Sequence, residues 1–340
     1  MGYSLEKLTS FDSQLKIIVD NSKVDVESLT NVKALGAHRL VFISSKKFLE
    51  QYLAQASRDH FLCFDQKFFN SLEQELVDEL SRTSLAVLTT QDFPMSMCTL
   101  SKVFYEQAFE NFNDLVDGRQ MGTAEIDPSV EISQGVFIGK DVKIGANSKI
   151  HAGVVILSQC EIGENCEIFP NVTINQNTKI ENDVRIHSGT VIGSDGYGYN
   201  FKDGVHHKIW HMGGVKIESH VEIGANSCID QGTFSPTFIG SGTKIDNHVQ
   251  IAHNVLLGKG VIICGQCAIA GSATVGDFTV MGGKAALGND IIVGKACQIA
   301  GAAMVTGNLE DGAKVAGHPA RPLREWLKGI AYLRKNSLNN

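Results

Sequence analysis

The chain has 340 residues, enough for two or three domains, with a formal net charge of −7 and 34 glycines. That acidic balance argues against nucleic acid as the default partner. The opening MGYSLEKLTSFDSQ is charged and lacks an apolar run, so neither a signal peptide nor stable membrane insertion is expected, and the chain reads as cytoplasmic.

Residues 1–115 read as a small α/β domain. RLVFI (39–43) and SLAVLTT (84–90) have the apolar, β-branched character of strands. Segments around 46–56, 70–81 and 101–115 have helical spacing, the last with Val103, Phe104, Phe109 and Phe112 on one face. Phe42 and Phe48 flank a Ser-Ser-Lys-Lys turn; they are either core aromatics or the walls of a slot for a flat ring. Residues 116–125 read as a linker.

From 126 to 314 aliphatic residues recur every six positions: Ile126, Ile132, Ile138, Ile144, Ile150 and so on to Ile192, then Ile217, Ile223, Ile229, then Ile239 through Leu257 and Met281 to Val305. Neither a helix nor an alternating strand has that period, which belongs to a parallel β-helix with one short strand and one turn per hexapeptide. Three hexapeptides close one triangular coil, so residues eighteen apart stack at about 4.8 Å. Small residues such as Val142, Val154 and Cys160 stand two positions before each ladder residue and point inward. Glycines such as Gly145, Gly224 and Gly258 follow the ladder residue directly, where a tight corner is expected to exclude a bulky side chain. Of eight cysteines, Cys160, Cys166, Cys267 and Cys297 occupy the inward small position and read as small hydrophobes in a reducing compartment. Cys264 and Cys267 have redox spacing, but the inward phase of Cys267 opposes a redox motif.

The ladder breaks twice. IGSDGYGYNFKDGVHHKIWHMGG (192–214) is a glycine- and aromatic-rich excursion, and a four-residue loop follows near Thr233–Phe238. Insertions in repeat proteins gather on the working face. Residues 315–340 contain Leu323, Trp326, Leu327, Ile330 and Leu333 at helical spacing amid Arg321, Arg324, Lys328, Arg334 and Lys335. This is a basic amphipathic helix, either a solvated face or a site for an acidic partner.

Among eleven histidines, His253 in KIDNHVQIAHN occupies a repeat position, with Asp246 seven residues before it. The spacing predicts that Asp246 orients the imidazole. Gly271 lies eighteen residues on, one coil above, where its N–H could hold an oxyanion. Base, orienter and oxyanion donor together point to acyl transfer. A rival reading uses His248 and His253, five apart, with His206, His207 or His211 as zinc ligands, resembling the γ-class carbonic anhydrase hydratases. A third is a non-catalytic sugar-nucleotide-binding scaffold.

IGSDGYGY, KIDNHVQIAHN, the preceding α/β domain and the GHPARPLREW exit helix together resemble the UDP-3-O-(3-hydroxyacyl)glucosamine N-acyltransferases of lipid A biosynthesis. The resemblance implies a mainly β fold, a left-handed parallel β-helix with a small N-terminal α/β domain and a C-terminal helix. It also implies a homotrimer with sites between neighbouring prisms. Such enzymes move a 3-hydroxyacyl group from acyl carrier protein to the 2-amine of a UDP-bound, O-acylated glucosamine. No metal or resident cofactor is implied, since 4′-phosphopantetheine arrives on the carrier. By resemblance His253 is the base, Asp246 its orienting carboxylate and Gly271 the oxyanion amide. Phe42 and Phe48 would sandwich uracil, Gly301 and Met304 would end the acyl channel, and Arg321, Arg324 and Lys328 would meet the carrier. Four positions depart from the family. Phe48 stands for Tyr, Ser45 for a nucleotide-contacting Asn, Gln231 for Arg, and Asp290 for a His that contacts the donor.

Overall fold

The computed structural model describes residues 2–55, 59–108, 122–317 and 320–337. The N-terminal region is a five-stranded sheet in the order Leu15–Asp20, Ala86–Thr90, His60–Asp65, Arg39–Ile43, Ser28–Thr30. Only the first pair is antiparallel. His60–Asp65 (HFLCFD) has no alternation because it is buried on both faces between parallel neighbours, which is why its sequence carried no period-two signal. The third expected helix starts well before residue 101, spanning Phe93–Ala108; Phe109 and Phe112 lie outside the described residues. Asp92 begins it, its Oδ1 accepting the Met95 N–H at 3.3 Å, and Pro94 sits in the first turn where no N–H is missed.

The rest is a triangular prism of two- to four-residue strands, from Glu125–Ile126 to Lys314–Val315, in parallel sheets of ten, nine and nine strands. It is a β-helix of hexapeptide repeats, consistent with the left-handed form that the resemblance implied. Ile132, Ile150 and Ile168 pair in register eighteen apart, and the ladder residues fill the interior. Both breaks preserve that register. Ile186 pairs with Ile223 across the first, 37 positions on, and Ile223 pairs with Ile245 across the second, 22 on. The interior is continuous past both insertions.

The corners differ from expectation in one respect. Along the regular coils the left-handed residue is the third after the ladder position, for example Asn147 (φ 59°), His248 (φ 57°), Asn254 (φ 59°) and Asp290 (φ 57°). Asn and Asp tolerate that conformation best among residues with side chains. The glycine directly after the ladder residue is needed for stacking instead. A Cβ on Gly224 would lie 2.5 Å from the Asp246 carbonyl carbon in the next coil.

Both insertions dock the N-terminal region onto the prism. Strands Tyr199–Lys202 and Val205–Lys208 form a hairpin closed by Asp203-Gly204, both at positive φ. It lies on the helix Phe93–Ala108: Asn200 Nδ2 donates to the Pro94 carbonyl at 2.9 Å, Lys202 pairs with Asp92, and the Trp210 N–H reaches Ser101 Oγ at 3.1 Å. From the second insertion Phe234 enters the N-terminal apolar core, and Asn31 Nδ2 donates to Ser235 Oγ at 2.5 Å.

Burial raises the Cys160 thiol to about 12 and pushes Cys63 and Cys166 up as well. Alkylation of native protein, read by mass spectrometry, should leave these three unmodified while half-exposed Cys264 reacts. Labelling of Cys160 at the rate of Cys264 would mean that the prism interior opens.

Candidate functional site

His253 follows the strand Gln250–Ile251 and sits half-buried at a prism corner. Its Nδ1 is 3.1 Å from Oδ1 of Asn254. That amide cannot be turned round: its oxygen also accepts the Thr233 N–H at 3.0 Å and Thr233 Oγ1 at 2.9 Å, and its Nδ2 donates to the Ser235 carbonyl at 3.0 Å. Nδ1 of His253 must therefore donate, which leaves Nε2 as the bare acceptor. Nε2 points toward Gly271, where a Cβ would lie 2.7 Å from it. Gly271 is buried, and among the described residues no acceptor takes its N–H. A buried N–H without a partner is costly, so the fold keeps a donor in reserve beside a bare base.

Within one chain Asp246 does not reach His253. Its Oδ1 accepts the Asn247 N–H at 2.7 Å and its Oδ2 the Gly265 N–H at 2.9 Å, in a separate hollow with His187 and Glu222. Asp246 directly follows ladder residue Ile245, whereas His253 stands two after Ile251, so a whole prism face separates them. Asn254 is the orienter, a residue whose corner role hid its second function. Asp230, at the end of the strand paired with Gln250–Ile251, accepts from Ser194 Oγ at 2.9 Å and Gln250 Nε2 at 3.0 Å. Burial raises its pKa against the lowering pull of those bonds and of His253.

His253, Phe42, Phe48 and Asp290 line one cavity of about 570 Å³ between the N-terminal region and the prism. Phe42 also meets Phe93 edge-on at 5.5 Å and lies nearly parallel to Phe234 at 6.3 Å, so it is core aromatic and cavity wall at once. Ser45 does not line the cavity. The alternation of the strand Arg39–Ile43 carries Phe42 and Ser44 to the cavity side, and Ser45 begins the helix Lys46–Leu53. Gln231, fully buried, donates from Nε2 to Asp195 Oδ1 at 2.9 Å and ties the excursion to the prism without a charge.

Gly301 and Met304 lie outside this cavity. Met304 ends a line of outward residues, Gln250, Ala268, Ala286 and Met304, paired coil to coil on the sheet of the His253 strand. Arg324 and Lys328 are exposed on the helix Leu323–Ser337, and Arg321 is exposed just before it. Of the rival zinc ligands, His206 and His207 are on the hairpin and His248 is on the Asp246 corner. Among the described residues no group of three or more His, Cys, Asp or Glu gathers as a metal site.

His211 is a site residue whose place the sequence did not reveal. Its ring is fully buried and meets the His253 ring edge-on, 5.2 Å between centroids. Burial first, then His253, lowers its pKa to about 4. Unfolded, it would take a proton near 6.5, so the native state loses stability as pH falls from about 6.5 toward 4. Replacing His211 by Phe should flatten that part of the stability–pH curve, measured by chemical denaturation. An unchanged slope would mean that His211 is protonated in the native state.

A profile of the bacterial transferase hexapeptide family (six repeats) matches residues 159–194. UDP-3-O-acylglucosamine N-acyltransferase of Desulfotalea psychrophila is 48% identical over 150 residues, 44% of this chain and 44% of that protein. The enzyme of the same name from Helicobacter hepaticus is 45% identical over 150 residues, 44% of this chain and 46% of its own length. The match thus spans less than half the length of these curated relatives. A UDP-N-acetylglucosamine acyltransferase structure from Campylobacter jejuni superposes with a TM-score of 0.44 at 27% identity, covering 59% of this chain and 75% of that one. The resemblance carried by the sequence motifs is met to this extent: residues 159–194 match hexapeptide repeats of the bacterial transferase type, and under half of the chain is similar to UDP-3-O-acylglucosamine N-acyltransferases.

Proposed function

We propose that the chain is a cytoplasmic N-acyltransferase of lipid A biosynthesis. It moves a 3-hydroxyacyl group from acyl carrier protein to the 2-amine of UDP-3-O-acyl-glucosamine. The observation that carries this reading is the bare Nε2 of His253 set against the uncommitted N–H of Gly271. The amine attacks the thioester carbon as His253 takes its proton, and the developing oxyanion is held by Gly271 N–H. Collapse breaks the C–S bond, and His253 returns the proton to the leaving thiolate. Asn254 keeps Nδ1 protonated and the ring aimed throughout. The thioester arrives on the carrier's phosphopantetheine, so no resident cofactor or metal is required.

The aromatic cavity wall suits the nucleotide end of the acceptor, with Phe42 and Phe48 as its apolar surfaces. The line of small outward residues from Gln250 to Met304 suits the acyl chain, with Met304 as its stop. A homotrimer accords with the outward positions of the later coils, where Ile262, Val280 and Ile292 are 44%, 36% and 56% exposed on a single chain. The helix Leu323–Ser337 offers exposed cations to an acidic carrier protein.

His253→Ala should lower turnover on the order of 10²–10⁴-fold with the acceptor KM nearly kept. Wild-type turnover in that variant would remove the base from the mechanism. Gly271→Ala, whose methyl would press on Nε2, should be impaired at least as severely. Light scattering should give a trimer mass; a fully active monomer would overturn the shared-groove assembly. Arg324→Glu with Lys328→Glu should raise the KM for the carrier-bound donor and spare that for the UDP-sugar. The effect should shrink with salt, which screens exposed charges beyond about 8 Å at physiological ionic strength. A change confined to the sugar KM would assign the helix to the wrong partner.

A further inference from the structure

His211 presents an anomaly that the proposed mechanism does not use. Its Nδ1 lies 3.0 Å from the Ile209 carbonyl, which can only accept, so Nδ1 carries the proton and Nε2 is an acceptor. That Nε2 is buried and has no hydrogen-bond partner among the described residues. Buried acceptors are seldom left so, because the desolvation penalty is borne in full. The strap Gly196-Tyr197-Gly198 seals the pair of imidazoles. A Cβ on Gly196 would lie 2.8 Å from Nε2 of His211, 2.5 Å from Cβ of His253 and 2.9 Å from its Cδ2. The bare nitrogen and the Cβ–Cδ2 side of the base thus share Gly196 as a neighbour, and the two rings meet edge-on with 5.2 Å between centroids.

We propose that His211 is a positioning residue whose bare Nε2 steadies the imidazolium formed when His253 takes up the proton. This rests on the acyl-transfer reading above. Protonation makes the ring C–H edges of an imidazole more positive, and an acceptor lone pair placed against such an edge then gains most. The other charged groups around the two rings are already committed. Asp230 accepts from Ser194 and Gln250, Asp195 holds Lys208 and Gln231, and Lys208 also lies over the Trp210 ring at 4.6 Å. Asp290 lines the cavity from the coil beyond Gly271, and Gly271 accepts its N–H. His211 itself stays neutral while its neighbour titrates, because burial disfavours its charged form. The contact therefore favours the proton on His253 without competing for it.

The test compares His211→Phe, which keeps a buried ring and loses the lone pair, with His211→Gln, which restores an acceptor. In the Phe variant turnover should fall about two- to fivefold, the worth of one weak C–H contact to an acceptor. The rising limb of its rate–pH profile should move to lower pH, with KM kept; Gln should recover both. Should the Phe variant fail to fold, His211→Leu carries the same comparison. Wild-type turnover and an unshifted limb in the variant would reduce His211 to packing. An NMR titration of the His253 ring in substrate-free protein reads the contact independently of acyl transfer. The midpoint should drop in the Phe variant, and an unmoved midpoint overturns the proposal. A wild-type protein that transfers no acyl group, with the drop still seen in the Phe variant, would instead overturn the assigned reaction.

Discussion

Everything in this molecule depends on one coil of the prism repeating its backbone hydrogen bonds on the next with no slip. Because each strand is only a few residues long, no strand is stable alone, and stability is the sum of coil-on-coil contacts. The stacking also fixes chemistry. It sets Gly271 directly over His253, and the absence of a side chain at that level leaves room for a reacting carbonyl. A helix of the same composition would place residues eighteen apart about 27 Å from each other.

Within that rigid frame the irregular segments supply what repetition cannot. Asn254 holds the base because its amide is pinned by Thr233 and Ser235, both in the second insertion. His211 and the Gly196–Gly198 strap come from the first. The same two segments carry the α/β region, so the cavity exists only where all three meet. The repeat thus positions the reacting atoms, and the insertions orient and enclose them.

The sequence disclosed whatever its period controls. The ladder, the inward cysteines, His253 and Gly271 are set by covalent spacing, and the structure places them so. Seven residues exceed one six-residue face, which carries Asp246 to another corner of its own chain than His253. Asn254 was visible in the IAHN motif, but the orientation of its amide is decided by a loop some twenty residues away. The closeness of His211 to His253 arises from how a non-repetitive excursion folds back, for which no spacing rule exists. Strand His60–Asp65 was missed because burial on both faces erases alternation.

The two insertions leave the register of the coils untouched, and that has an evolutionary consequence. A lineage can lengthen or shorten the hairpin tip of the excursion without shifting the coil positions of the base or the oxyanion donor, because the register does not depend on the loop's length. Acceptor preference can then drift while the reacting centre stays put. Mutational tolerance and novelty are thereby confined to the same short segments. Departures such as Gln231, lodged where the excursion meets the prism, are the kind of change this arrangement absorbs.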